Sequence, residues 1–147
     1  MIPEVEILIV EDNARDLELT MRALAKHRLG NHVVAVRDGV EALDFLFARG
    51  AYADRVVTDG PQVIFLDMKL PKVDGMEVLR QIKADERTRL IPVVMVTSSA
   101  QERDLAETYR LGVNSYVVKP IDFDAFVKTI ADLGFYWLAV NRPAARS

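Results

Sequence analysis

Five times along this chain a short apolar run rich in β-branched residues is followed by a stretch of helical spacing, and that alternation limits the possible folds more than any single residue does. The apolar runs lie at residues 5–10, 32–36, 62–66, 91–96 and 115–118, each continuous enough to be buried on both faces. The helical stretches follow them at 13–28, 40–47, 75–83, 101–110 and 123–138. Parallel strands need a crossover connection, and a helix is the usual one. The pattern predicts an α/β fold: one doubly wound, five-stranded parallel sheet with helices on both faces, flavodoxin-like in architecture. At 147 residues the chain can bury one sizeable core but not two, so a single domain over 1–147 is expected. Only a short polar tail follows the last helical stretch, so no output domain is expected. Residues 49–61 exceed the common connection of about 2–6 residues and read as a surface excursion.

Charge and composition exclude several classes of function. Lysine and arginine number 19 against 22 acids, a formal charge of −3, and no basic run is longer than two residues. Nothing supplies the dense positive face that nucleic acid requires, so no direct nucleic-acid partner is expected. The absence of cysteine removes disulfides, thiolate nucleophiles and Cys-type zinc sites, which suits the cytosol. The first residues carry acids rather than a basic stretch before an apolar run, and no apolar segment nears the roughly 20 residues of a membrane span. Neither secretion nor membrane insertion is expected. His27 ends a basic helical stretch and His32 opens an apolar run; neither has an evident partner ligand, so both read as solvated or capping residues.

In sheets of this kind the binding crevice lies beyond the carboxyl ends of the strands. Those ends carry Glu11 and Asp12 after the first run, Asp67 after the third, Thr97 after the fourth, and Lys119-Pro120 after the fifth. Singly, each has a structural explanation: Asp12 or Thr97 can cap a helix, and Lys119 can be a solvated loop lysine. Together, three acids crowded at the end of an apolar sheet repel one another unless a cation is recruited or one stays protonated. Hard oxygen donors with room for water suit Mg²⁺. Asp67 is then a nucleophile suited to a phosphoryl group, with Lys119 neutralising phosphoryl charge and the Thr97 hydroxyl donating to another of its oxygens.

With these residues, the chain resembles the receiver domain of two-component response regulators from about Val5 to the end of the last helix. The resemblance is carried by Glu11-Asp12, the stretch Asp38-Gly39-Val40-Glu41-Ala42-Leu43, the run from Phe65 through Asp67 and Pro71 to Gly75, Thr97-Ser98 and Lys119-Pro120. It implies that Asp67 is the phosphoacceptor, fed by a sensor histidine kinase. It also implies that Asp12, Asp67, the Lys69 backbone carbonyl and Glu11, directly or through water, hold Mg²⁺. Lys119 would pair with the phosphoryl group, and the Lys119-Pro120 bond would be cis. Thr97 and Tyr116 would move together as a switch that alters the surface of the fourth helix, fifth strand and fifth helix. Where many receivers have Met-Pro after the acceptor this chain has Leu70-Pro71, a volume-conserving change. Lys69 and Ser98 stand at positions that bear on the phosphoryl lifetime.

The long excursion and the ending from Leu133 to Pro143 are similar to the small response regulators that work with bacterial and cyanobacterial phytochromes, which dimerise through the switching surface. Phe135, Tyr136 and Trp137 are consecutive, and a helix turns about 100° per residue, so they cannot all face the sheet. Tyr136 or Trp137 is therefore expected in a homodimer interface, against the plainer reading that the last helix packs all three. Two other functions compete. A haloacid-dehalogenase-type phosphatase also uses an aspartyl nucleophile, but needs an acid two residues later, where this chain has Lys69. A phosphorylation-independent scaffold of receiver fold would have no need of the acids, hydroxyl and lysine together.

Overall fold

The computed structural model describes residues 5–29, 32–120 and 122–144. The five expected strands form as β1 (Ile7–Val10), β2 (Val33–Val36), β3 (Val63–Leu66), β4 (Val93–Thr97) and β5 (Ser115–Val118). All pair in parallel, in the order β2-β1-β3-β4-β5. The helices are α1 (Ala14–Lys26), α2 (Gly39–Leu46), α3 (Gly75–Ala84), α4 (Glu102–Arg110) and α5 (Phe123–Phe135). The chain steps from β1 to β2 on one side and then crosses back to β3 on the other. That reversal opens the crevice above the ends of β1 and β3.

Alternation along the buried strands divides the core in two. Leu8, Val10, Ile64, Leu66 and Met95 face the layer of α2 and α3, meeting Leu43, Leu46, Val78, Leu79 and Ile82. Ile7, Ile9, Val63, Phe65, Val94 and Val96 face the layer of α1 and α5, meeting Leu19, Leu24, Phe126 and Ile130. Because side chains repeat every two residues along a strand, a slip by one would exchange the two layers, so this register is strongly specified. The edge strands β2 and β5 are only half-buried along most of their length, whereas β1, β3 and β4 are buried throughout.

Helix starts follow from local chemistry. Asn13, Asp38, Asp74 and Asp122 each stand at an N-cap and accept the backbone N–H three residues on, from Asp16, Glu41, Glu77 and Ala125. Each such cap is worth about 1 kcal/mol. Gly75 begins α3 where a Cβ would lie 2.0 Å from the Asp67 carbonyl oxygen, so only glycine lets this helix abut the end of β3. α4 differs from the other helices. Of its residues only Thr108 is buried, and the Thr108 hydroxyl donates within the helix, to the Asp104 and Leu105 carbonyls.

The excursion at 49–61 is pinned to α2 rather than free in solvent. It holds a short 3-10 turn, Gly50–Tyr52, whose Tyr52 ring packs edge-on against Phe45 at 5.1 Å. The Arg55 guanidinium lies 3.7 Å over the same Phe45 ring and donates to the Phe45 carbonyl and, at 3.1 Å, to the Asp59 carbonyl. Arg55→Ala removes the cation–π contact and both donors, and is expected to lower stability by about 1–3 kcal/mol in urea denaturation. An unchanged midpoint would show that the excursion contributes nothing to the fold.

At the other end of the chain α5 passes into a π-helical turn, Tyr136–Val140, so regular helix ends at Phe135 rather than at 138 as the spacing predicted. Trp137 packs against the α1/α5 layer, while Phe135 and Tyr136 are 57% and 47% exposed. Tyr136 and Trp137 meet edge to face at 5.0 Å. No described helix is long and apolar enough to cross a membrane.

Candidate functional site

Glu11, Asp67 and Lys119 are each positioned by the sheet ladder running one step past a strand. The Glu11 N–H donates to the Val36 carbonyl at 3.0 Å, and the Asp67 N–H donates to the Val10 carbonyl at 3.0 Å, which sets the two acids side by side at the switch of strand order. The Lys119 N–H donates to the Thr97 carbonyl at 2.7 Å and extends β5 in the same way. Residues far apart in sequence are thus brought to one rim by backbone hydrogen bonds.

The acids and the amine converge as expected. One carboxylate oxygen from each of Glu11, Asp12 and Asp67 lies within 4.8 Å of the others, Asp12 being the least buried of the three. The Lys119 Nζ donates to Glu11 Oε1 at 2.6 Å, Asp16 Oδ2 at 2.9 Å and Asp67 Oδ2 at 3.1 Å. Asp16 is a participant that sequence reasoning missed. It sits in the first turn of α1, where an acid is ordinary, and its approach to Lys119 becomes visible only when the strand ends are assembled.

Thr97 closes β4 with 1% exposure, and its hydroxyl accepts the Ser99 N–H at 3.3 Å rather than bonding Asp67. The half-buried Tyr116 donates its hydroxyl to the Ser99 carbonyl at 2.9 Å, so Thr97 and Tyr116 both hold the residue between them and α4. Ser99 in turn donates to Asp104 of α4 at 2.6 Å. Lys69 is exposed on the loop after β3 and lines, with Leu70, Met76 and Arg103, a cleft of about 610 Å³ that adjoins the rim. One expectation is corrected. There is no cis peptide bond among the described residues, so Lys119-Pro120 is trans. A trans X-Pro bond is favoured by about 0.5–1 kcal/mol, and Lys119 reaches all three carboxylates without the alternative.

Electrostatics mark the cluster as one short of positive charge. Burial, reinforced by Asp67 alongside, pushes the Glu11 carboxyl up to about 8, and Lys119 pulls it back only in part. Burial by itself would lower the Lys119 amine, but Glu11, Asp16 and Asp67 together outweigh it and hold the amine above its ordinary value. The ammonium stays charged, and burial favours the protonated form of the Glu11 carboxyl. An all-oxygen donor set of this charge fits a hard divalent ion such as Mg²⁺.

A pH dependence follows. Glu11 is raised in the folded protein, so its contribution to metal-free stability is present below about 4.5 and lost as pH rises through about 8. A divalent cation that replaces this proton should bind up to about tenfold more weakly for each pH unit below 8. The thermal shift produced by a fixed Mg²⁺ concentration is expected to grow from pH 6 to pH 8; equal shifts at both values would remove Glu11 from the binding set.

A five-stranded parallel α/β sheet with an acid cluster and an amine at its switch point is the architecture of a receiver. The family model for the response regulator receiver domain matches residues 7–131, and the chain belongs to that family. Among curated relatives, the probable methanogenesis regulatory protein FilR2 of Methanothrix harundinacea is 42% identical, over 92% of this chain and 85% of FilR2. Response regulator Rcp1 of Synechocystis sp. is 36% identical over 97% of this chain and 96% of its own length. The phosphorylated cyanobacterial phytochrome response regulator RcpA superposes with a TM-score of 0.89, at 36% identity, covering 97% of this chain and all of RcpA (100%). The Mn²⁺-bound form of Rcp1 gives a TM-score of 0.88 at 34% identity, covering 96% and 99% of the two chains. The bacteriophytochrome response regulator AtBRR is 52% identical with a TM-score of 0.72, covering 96% and 100%.

Proposed function

We propose that this chain is a cytoplasmic phosphorylation switch in which Asp67 accepts a phosphoryl group from a sensor histidine kinase. The observation that carries this is the Lys119 ammonium, 3.1 Å from Asp67 inside a buried group of carboxylates. An Asp67 oxygen forms the new bond to phosphorus as the P–N bond of the phosphohistidine breaks, and the departing imidazole nitrogen takes a proton. Lys119 binds a phosphoryl oxygen and offsets its charge. Glu11, Asp12 and Asp67, with the Lys69 carbonyl, would hold Mg²⁺, which when bound neutralises charge on the transferring group. RcpA in its phosphorylated form and Rcp1 with Mn²⁺ support the acceptor and the metal by relationship.

The signal leaves the site through Ser99. Thr97 gives up the Ser99 N–H to bond the phosphoryl group, Tyr116 follows through the Ser99 carbonyl, and the surface of α4, β5 and α5 is altered. The relationship to Rcp1, RcpA and AtBRR favours a phytochrome-type kinase as donor. Exposed Tyr136, with the half-buried Trp137 edge to face against it, is suited to a homodimer interface. Sedimentation at micromolar concentration should show a dimer; monomer with and without phosphorylation would reject that part.

The switch itself is tested by incubating the chain with a small phosphodonor such as acetyl phosphate and Mg²⁺. A hydroxylamine-labile phosphoryl group that fails to appear when Mg²⁺ is chelated is the expected product. A chain that stays unlabelled under both conditions would overturn the proposal in favour of a binding scaffold.

A further inference from the structure

Two of the three acceptors around the Lys119 amine, Glu11 and Asp67, also belong to the carboxylate group suited to a cation, and the third does not. The third is Asp16, whose Oδ2 lies 2.9 Å from Nζ. An ammonium has three N–H donors, and here all three are taken by carboxylates. Once Glu11 and Asp67 turn their charge toward a dication they attract the ammonium less, and the cation itself repels it. Lysine is a long side chain with rotamer entropy to gain by leaving.

We infer that Asp16 is a positioning residue that anchors the Lys119 ammonium beside Asp67 when the other two carboxylates are committed to a cation. The inference rests on Asp67 being the phosphoacceptor only for its consequence, not for the anchoring. The anchor is built rigidly. The Asp16 N–H donates to Asn13 Oδ1 at 3.0 Å and its carbonyl accepts from the Thr20 hydroxyl at 2.8 Å, so its backbone is fixed on the first turn of α1. An acid there would favour the helix dipole wherever its carboxylate pointed. This one is turned onto an amine 103 residues away, and is about a quarter exposed.

The test compares wild type, Asp16→Asn and Asp16→Ala in the full chain. Asparagine keeps an acceptor oxygen for the ammonium; alanine keeps only the helix. With saturating Mg²⁺ alone, the Lys119 Nζ ammonium resonance should persist in wild type and Asp16→Asn and be lost to exchange in Asp16→Ala. With acetyl phosphate added, phosphorylation of Asp16→Ala should slow about tenfold, and that of Asp16→Asn by less than about threefold. If alanine retains both the resonance and the rate, or both variants slow equally in step with a fall in melting temperature, Asp16 is a helix residue only and the inference is wrong. If the resonance behaves as expected but no chain is labelled, the anchoring stands and the phosphoacceptor reading falls.

Discussion

Asp67→Asn is expected to abolish phosphoryl incorporation while leaving the chain folded. The amide cannot attack phosphorus as a carboxylate does, and no described neighbour replaces it: Glu11 is buried and paired with Lys119, and Asp12 stands further toward solvent. Folding should survive because the substitution removes one of several crowded negative charges. Two further changes should accompany the loss. Asp67 raises Glu11, so Glu11 should return toward its ordinary value and the metal-free protein should lose less stability between pH 5 and 8. Mg²⁺ affinity should fall by at least about tenfold, since even residues that merely support a metal's ligands commonly cost 10–100-fold. Labelling that persists in Asp67→Asn would mean the phosphoryl group goes elsewhere.

Lys119→Met should have the largest effect on the metal-free fold. The ammonium is only 10% exposed and partners three carboxylates, and deleting one member of a buried ion pair costs about 3–5 kcal/mol. Part of this is recovered because Glu11 takes up a proton more readily, so the deficit should be smaller at pH 6 than at pH 8. Mg²⁺ should restore more stability to this variant than to wild type, since it supplies the missing charge. Phosphorylation should nevertheless slow by about 10²–10³, the usual effect of removing one preorganised charge donor. Melting curves with and without Mg²⁺ at the two pH values, set beside labelling rates, separate the two roles. A variant as stable as wild type without metal would show that the carboxylates do not depend on the amine.

The sheet was legible because strands buried on both faces must be apolar in unbroken runs, as Val63–Leu66 is throughout and Val93–Thr97 is up to its last residue. The site followed because a parallel sheet collects its strand ends on one rim, which brought Glu11, Asp67 and Lys119 together without any local signal linking them. Asp16 escaped because its environment is made by tertiary structure alone; along the chain it is one more acid in a first helical turn. The links from Thr97 and Tyr116 through Ser99 to Asp104 escaped for a related reason. Two are hydrogen bonds to backbone groups, which carry no residue identity. The expected cis bond at Pro120 came from resemblance rather than from the residues, and the structure has it trans.

α4 has Thr108 as its one buried residue, so little apolar burial opposes its displacement. Inverting a two-state population from 1:99 to 99:1 takes about 5.5 kcal/mol, within reach of one new charge and the few hydrogen bonds it redirects. A wide apolar seam would hold such a helix against that sum. With almost no grease beneath it, α4 is the helix that the proposed chemical event at a single carboxylate would re-seat most easily, while the layers on either side of the sheet keep their grip.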